Sequence, residues 1–175
     1  MRILVTAFEP YGGNDTNISQ KVLDAIQADV AKLLLPVSFR RAPHVFNEVI
    51  GQFQPDMIFS MGQTAEGDKI RLERLAINIM DSAKGDNDGD IPDEEIICSE
   101  VPLALKTALP VKQLCADCIN AGLSTKVSNS AGLYVCNRIY FEALRQTKNS
   151  LFVHIPKNMD LEIAKQVINQ IIKFF

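Results

Sequence analysis

An α/β fold, with an open and mostly parallel twisted sheet and helices on both of its faces, is what the order of apolar patterns in this chain predicts. Three observations carry that reading. Short runs that are apolar at almost every position recur, among them ILV after Arg2, DMIFSM from Asp56 and LFVHI from Leu151, as strands buried on both faces require. Between them stand stretches with the 3.6-residue period of amphipathic helices. The runs end in clusters of Gly, Pro, Asn or Gln that read as loops. Strand and helix in alternation imply right-handed crossovers, and in such sheets a ligand sits beyond the carboxyl ends of the strands. With 175 residues, 47% of them hydrophobic, and no repeat, linker or low-complexity segment, residues 1–175 read as one domain that buries about 70% of its unfolded surface.

Residues 2–6 fit a buried strand, followed by the loop FEPYGGN from Phe8 to Asn14. Asn17 or Ser19 then caps a helix to about residue 30, with Val22, Leu23, Ile26 and Val30 on one face. Strand, glycine-rich loop and helix also describe a phosphate loop. Gly12-Gly13 matches neither GxGxxG nor GxxxxGK followed by Ser or Thr, so nucleotide binding is not expected. Residues 33–39 supply the next strand, and Pro43 opens a helix carrying Val45, Phe46, Val49, Ile50 and Phe53. Residues 56–61 form a strand ending in Gly62-Gln63-Thr64, and residues 69–79 alternate well enough for one strand with Glu73 and Arg74 in its middle.

Residues 81–93 make a polar loop dense in Asp and Gly. It resembles a calcium loop only superficially, because the glycine and glutamate that such a loop requires are out of register. One or two helices are expected over residues 99–121, Pro102 and Pro110 each suiting a first turn. Cys115 and Cys118 there form a CxxC with no second CxxC and no His pair, which fits a packed helix face better than a zinc or redox site. Residues 126–128 read as a strand end, Asn129-Ser130-Ala131-Gly132 as a tight turn, and the apolar period after it as a helix to about Gln146. Residues 151–155 form a last strand stopped by Pro156. Asp160 caps a closing helix in which Ala164, Val167, Ile168, Ile171 and Phe175 share a face.

The charge balance narrows the functional classes. A net charge of −3 with scattered Lys and Arg argues against nucleic acid or an anionic membrane as partner, and a small uncharged or mildly polar substrate fits better. The apolar run in MRILVTAFEP is too short for a signal peptide or anchor, and no apolar stretch approaches the ~20 residues of a membrane span. A cytoplasmic protein is expected, with its four cysteines as thiols.

Three residues draw chemical attention. Cys136 falls in the first turn of its helix, where unpaired N–H groups and the helix dipole favour thiolate over thiol; a cysteine that merely packs is the other reading. His154 falls at the carboxyl end of a strand, where an imidazole either pairs with a thiolate or is satisfied structurally. Glu73 stands among Ile70, Leu72, Leu75 and Ile77, a costly place for a charge without a partner. It either orients the imidazole or pairs with Arg74 or another cation.

The blocks ILVTAFEPYGG, GQTAEGDKIRLERLAIN, VSNSAGLYVCN and FVHIP, in that order over nearly the whole chain, resemble the pyroglutamyl peptidase I, or pyrrolidone-carboxylate peptidase, family. The resemblance implies a cysteine peptidase that removes N-terminal pyroglutamate, cytosolic and often tetrameric, using a Cys, His, acid triad and no metal or organic cofactor. Carried over by motif, Cys136 is the nucleophile, His154 the general base and Glu73 the acid. The pocket is lined by Phe8, Tyr11, Tyr134 and Val135, and the backbone of Gln63 bonds the lactam. The chain departs from the family where an Arg is usual: Gly67 follows the middle block's glycine region, and Lys84 stands in the AKGDNDG loop, offering a point charge instead of a fork. His44, in APHVF, stands where a small residue is usual and is expected to narrow the pocket or add a titrating group. These departures leave two alternatives: a hydrolase of the same mechanism for another small acyl or lactam group, and a non-catalytic binding protein that keeps the cleft.

Overall fold

The structure is a computed structural model and describes residues 1–174. In chain order the elements are β1 (Ile3–Phe8), α1 (Ile18–Ala25), β2 (Ala31–Leu35), α2 (Arg41–Phe53), β3 (Met57–Thr64), β4 (Ile70–Glu73), β5 (Leu75–Ile77), β6 (Ile79–Met80), β7 (Glu95–Ile96), β8 (Ala104–Lys106), α3 (Val111–Asn120), β9 (Thr125–Ser128), α4 (Val135–Gln146), β10 (Ser150–Pro156) and α5 (Leu161–Lys173). Six strands form the main sheet in the order β2-β1-β3-β10-β4-β9. The pairings are parallel except that of β10 with β4. The α/β class, open and mostly parallel, is therefore as the sequence predicts.

Side chains alternate across this sheet and divide the apolar residues into two cores. On one face Val5, Phe59, Met61, Leu72, Val153 and Ile155 pack against α1, α3 and α5. On the other, Leu4, Phe8, Ile58 and Phe152 pack against α2 and α4. The second face also carries His154 and Glu73, since each is one residue out of phase with its apolar neighbours in β10 and β4. β3 and β10 lie at the centre, buried along nearly their whole length.

Several boundaries differ from expectation for identifiable reasons. α1 stops at Ala25, where Ile26 turns to extended backbone and Lys32 Nζ satisfies the freed carbonyls of Asp24 and Ile26. Asn17, rather than Ser19, is its cap. Residues 69–79 are not one strand: β4 ends at Glu73, and the following residues turn off the sheet to pair as β5 with β8 and as β6 with β7. No helix begins at Pro102. Asn78 holds that stretch as a turn, its amide donating to the carbonyls of Cys98 and Val101 and accepting from the Cys98 N–H. The helix expected from Pro110 does form, and Cys115 and Cys118 lie on its buried face. Of the residues expected on the buried face of α5, Ala164, Val167, Ile168 and Ile171 are there, and Phe175 falls outside the described residues.

Candidate active site

Glu73 and His154 meet across the antiparallel pairing of β4 and β10, in which Glu73 sits opposite Phe152. Glu73 is wholly buried, and its Oε1 accepts a hydrogen bond from His154 Nδ1 at 2.9 Å. Its other oxygen, Oε2, has no partner among the described residues, so the carboxylate answers to the imidazole almost alone. Arg74, the alternative partner suggested by the sequence, forms no ion pair with Glu73 among the described residues and lines a separate cleft with Lys106 and Leu109.

Cys136 comes from the other layer. Residues 129–134 cross from β9 over the sheet face, and Gly132, with φ +78°, supplies a left-handed turn that an L side chain resists. α4 then begins at Val135, with Cys136 in its first turn and no side-chain cap on Tyr134, which leaves the early helix amides facing the thiol. β9 runs antiparallel to β10, because it is parallel to β4. The sulfur therefore reaches His154 by way of this loop and not by sharing a strand direction with it. The helix is pinned by Asn137, whose buried amide bonds the Ile77 N–H and carbonyl and the Ile79 carbonyl at 2.8–3.0 Å. Cys136 Sγ rests against Gly62 so closely that a Cβ there would sit 2.8 Å from it and 2.8 Å from Phe152 Cζ.

The electrostatics follow from this packing. Burial pushes the His154 imidazole down, but hydrogen bonds to Cys136 and Glu73, together with their charges, outweigh it and raise the pKa to about 9. Glu73 occupies Nδ1, so Nε2 is the ring nitrogen left for Cys136. A thiol beside an imidazole that a carboxylate orients can be ionised, and the ring can carry a proton to a leaving group.

Phe8, Tyr11, Gln63, Tyr134 and Val135 all line a small apolar cavity that ends at Cys136. In this conformation it measures about 10 Å³, room for roughly one water. Gln63 also serves structurally: its side-chain oxygen accepts from the Ile18 N–H at the start of α1. Tyr134 stacks edge-on with Phe39 at 5.2 Å and donates to the Gly85 carbonyl. Burial raises its phenol to about 12. Lys84 lines a wider adjoining cleft, of about 520 Å³, that shares Tyr11, Gln63 and Tyr134 with the cavity. His44 does not fit its expectation. It is exposed on α2 and lines neither space, because Pro43, Ala42 and Phe46 take the buried face of that helix.

Sequence reasoning missed Gly62, Asn78 and Asn137. An Asn beside a candidate nucleophile was a legible signal for the last. Nothing local marks the other two, whose roles arise from distant partners. The calcium-like loop is organised by Asp86, which accepts from the N–H groups of Phe39, Asp88 and Asp90. Cys115 Sγ lies 3.4 Å from Thr125 Oγ1, and burial raises the Cys118 thiol to about 11.

Comparison with known proteins agrees with this geometry. The model of the family described as Pyroglutamyl peptidase matches residues 1–171. The Pyrrolidone-carboxylate peptidase of Thermococcus kodakarensis is 35% identical over 94% of this chain and 85% of its own. Pyrrolidone-carboxylate peptidase 1 of Caldanaerobacter subterraneus subsp. tengcongensis is 38% identical over 89% of this chain and 82% of its own. Among solved structures, pyrrolidone carboxyl peptidase from Fervidobacterium islandicum AW-1 superposes with a TM-score of 0.95 at 28% identity, covering 99% of this chain and 97% of that one. Pyroglutamyl Peptidase I of Bacillus amyloliquefaciens gives 0.90 at 26% identity, covering 97% and 94%. A fold and a family match that run the length of the chain lead to one assignment: this chain belongs to the pyroglutamyl peptidase family.

Proposed function

We propose that this chain, a cysteine peptidase that removes N-terminal pyroglutamate from peptides, does so with Cys136 as nucleophile, His154 as general acid and base, and Glu73 as the residue that orients the imidazole. The observation that carries the assignment is the buried 2.9 Å bond from His154 Nδ1 to Glu73, beside the Phe152 ring and the Gly62 surface against which Cys136 Sγ is packed. The thiolate attacks the carbonyl carbon between pyroglutamate and the next residue, and the carbonyl π electrons move onto oxygen. The first amides of α4 face that oxyanion. Collapse breaks the C–N bond as His154 gives its Nε2 proton to the leaving amine. Water then adds to the thioester, His154 takes its proton, and pyroglutamate leaves as the thiolate returns.

The cavity beside Cys136 suits the acyl group. A lactam is flat, uncharged and amide-bearing, so aromatic walls with a few polar partners favour it over a free amine. Since the cavity now holds about 10 Å³, the rings of Tyr11 and Tyr134, 6.1 Å apart, part when a lactam is admitted. The decisive experiment is turnover of a pyroglutamyl-arylamide by reduced protein. Wild type is expected to cleave it, and Cys136→Ala to lose at least about a thousandfold in kcat while keeping its circular dichroism. A folded wild type inert on several pyroglutamyl peptides would sink the assignment, and a panel of other acyl-arylamides separates an altered acyl specificity from it.

The proposal extends to one catalytic domain over residues 1–175, a cytoplasmic location and a homotetramer. Support for one domain is that both cores share one sheet. Four free cysteines are compatible with a reducing compartment, and no helix among the described residues is long and apolar enough to cross a membrane. Ile91, Ile96 and Leu103, which are 61%, 55% and 64% exposed, favour assembly; sedimentation at several concentrations tests it.

A further inference from the structure

The wider cleft next to the candidate active site differs in charge from the cavity for the acyl group. Its volume of about 520 Å³ falls within the roughly 300–1,000 Å³ of a site that encloses a small molecule. Two ammonium groups line it, Lys84 from the loop after β6 and Lys157 from the residue after β10, and no carboxylate side chain does. Both are held from behind. Lys157 N–H donates to the Thr64 carbonyl, and its Nζ donates to Asn14 Oδ1 at 2.7 Å while Asn14 Nδ2 donates to the Tyr11 carbonyl. One of three ammonium donors is thereby used and two remain. The backbone of Lys84 is fixed by reciprocal bonds with the Ser82 hydroxyl, and its ammonium has no hydrogen bond or ion pair among the described residues.

Cys136 lines the small cavity and not this cleft. With the pyroglutamyl ring against Phe8 and Tyr134, the chain beyond the scissile bond is the part of the substrate that enters the space between the lysines. We propose that this side of the site selects pyroglutamyl peptides that carry a carboxylate close after the scissile bond, and that Lys84 and Lys157 are the residues that select it. The inference rests on the reading of the chain as a pyroglutamyl peptidase. The carboxylate comes either from an acidic side chain or from the C-terminus of a very short peptide. An exposed ammonium is worth about a twofold to fivefold preference, and salt screens it.

The test is a comparison of kcat/KM on four substrates: pyroglutamyl-alanine amide, pyroglutamyl-glutamate α-amide, pyroglutamyl-alanine with a free C-terminus, and pyroglutamyl-lysine amide. Wild type is expected to favour at least one carboxylate substrate over the neutral amide by about fivefold to tenfold, with the lysine peptide poorest. Which carboxylate substrate gains identifies the source. The preference should shrink in added salt, vanish in the Lys84→Gln/Lys157→Gln double variant, and turn toward the lysine peptide in Lys157→Glu. Equal kcat/KM across the panel in wild type, or a preference that survives the double variant, overturns the inference while leaving the peptidase reading standing. No turnover of any of the four overturns both.

Discussion

At Gly62 the absence of a side chain is a spatial requirement, since any Cβ would sit 2.8 Å from Cys136 Sγ. Gly62→Ala is expected to displace the sulfur and lower kcat by at least about tenfold, with a stability loss of about 1–3 kcal/mol from overpacking; kinetics and urea denaturation together check it. The charge state of His154 governs the next expectation. Its pKa is raised to about 9 from the ordinary 6.5, so the imidazolium contributes stability that is fully present below about pH 6.5 and is lost as pH rises through about 9. The alkaline limb of kcat/KM should fall in that upper range. In Cys136→Ala the ring loses one hydrogen bond and one charge, and its pKa, followed by NMR, should drop. Glu73→Gln should lower it as well. An imidazole titration indifferent to both substitutions would contradict the contacts described here.

Elements bring their own expectations. α4 is fastened to the β5 and β6 arm by Asn137, so Asn137→Ala should cost about 2–3 kcal/mol in denaturant titration through the polar groups it strands. It should also slow alkylation of Cys136. α3 shields its thiols: Cys118, pushed up to about 11 by burial, should alkylate far more slowly than Cys136, a difference mass spectrometry of briefly labelled native protein reads directly. The proposed opening of the cavity should move the loop of Tyr11 relative to the cap of α4 at Tyr134 when a lactam binds. The chain has three Tyr and no Trp, so 2-pyrrolidone should change the tyrosine emission of the folded protein; an unchanged spectrum at saturation would argue that the cavity does not open.

The whole molecule is two cores divided by one sheet, with β3 and β10 in the middle. Their amides should exchange slowest with deuterium, since they open only on global unfolding. Phe152 anchors the second core directly beneath the candidate site. Wholly buried, it touches the Phe8, Tyr140 and His154 rings, and Phe152→Ala should cost about 3–5 kcal/mol and disturb the imidazole.

Much of this was legible along the chain. Period and punctuation located β1, β3, β10, α2, α4 and α5, because a buried strand or an amphipathic helix writes its burial into successive residues. Cys136, His154 and Glu73 stood out because each is a costly or reactive group in an apolar setting. The breakdown of residues 69–79, the turn before Pro102 and the exposure of His44 were not legible. Asn78 and Glu73 act on partners 20 and 81 residues away, and His44 is turned outward by its neighbours on α2.

The sequence by itself determined the class of fold, the two cores and the candidate reactive side chains, since these follow from hydrophobic period and local chemistry. Tertiary structure alone decided that β4 runs against β10, which sets the carboxylate of Glu73 on Nδ1 of His154. It also decided that Gly62 leaves room for the sulfur and that two lysines far apart in the chain line one cleft. Strand direction and close approach depend on how distant segments pack, and no local pattern encodes them.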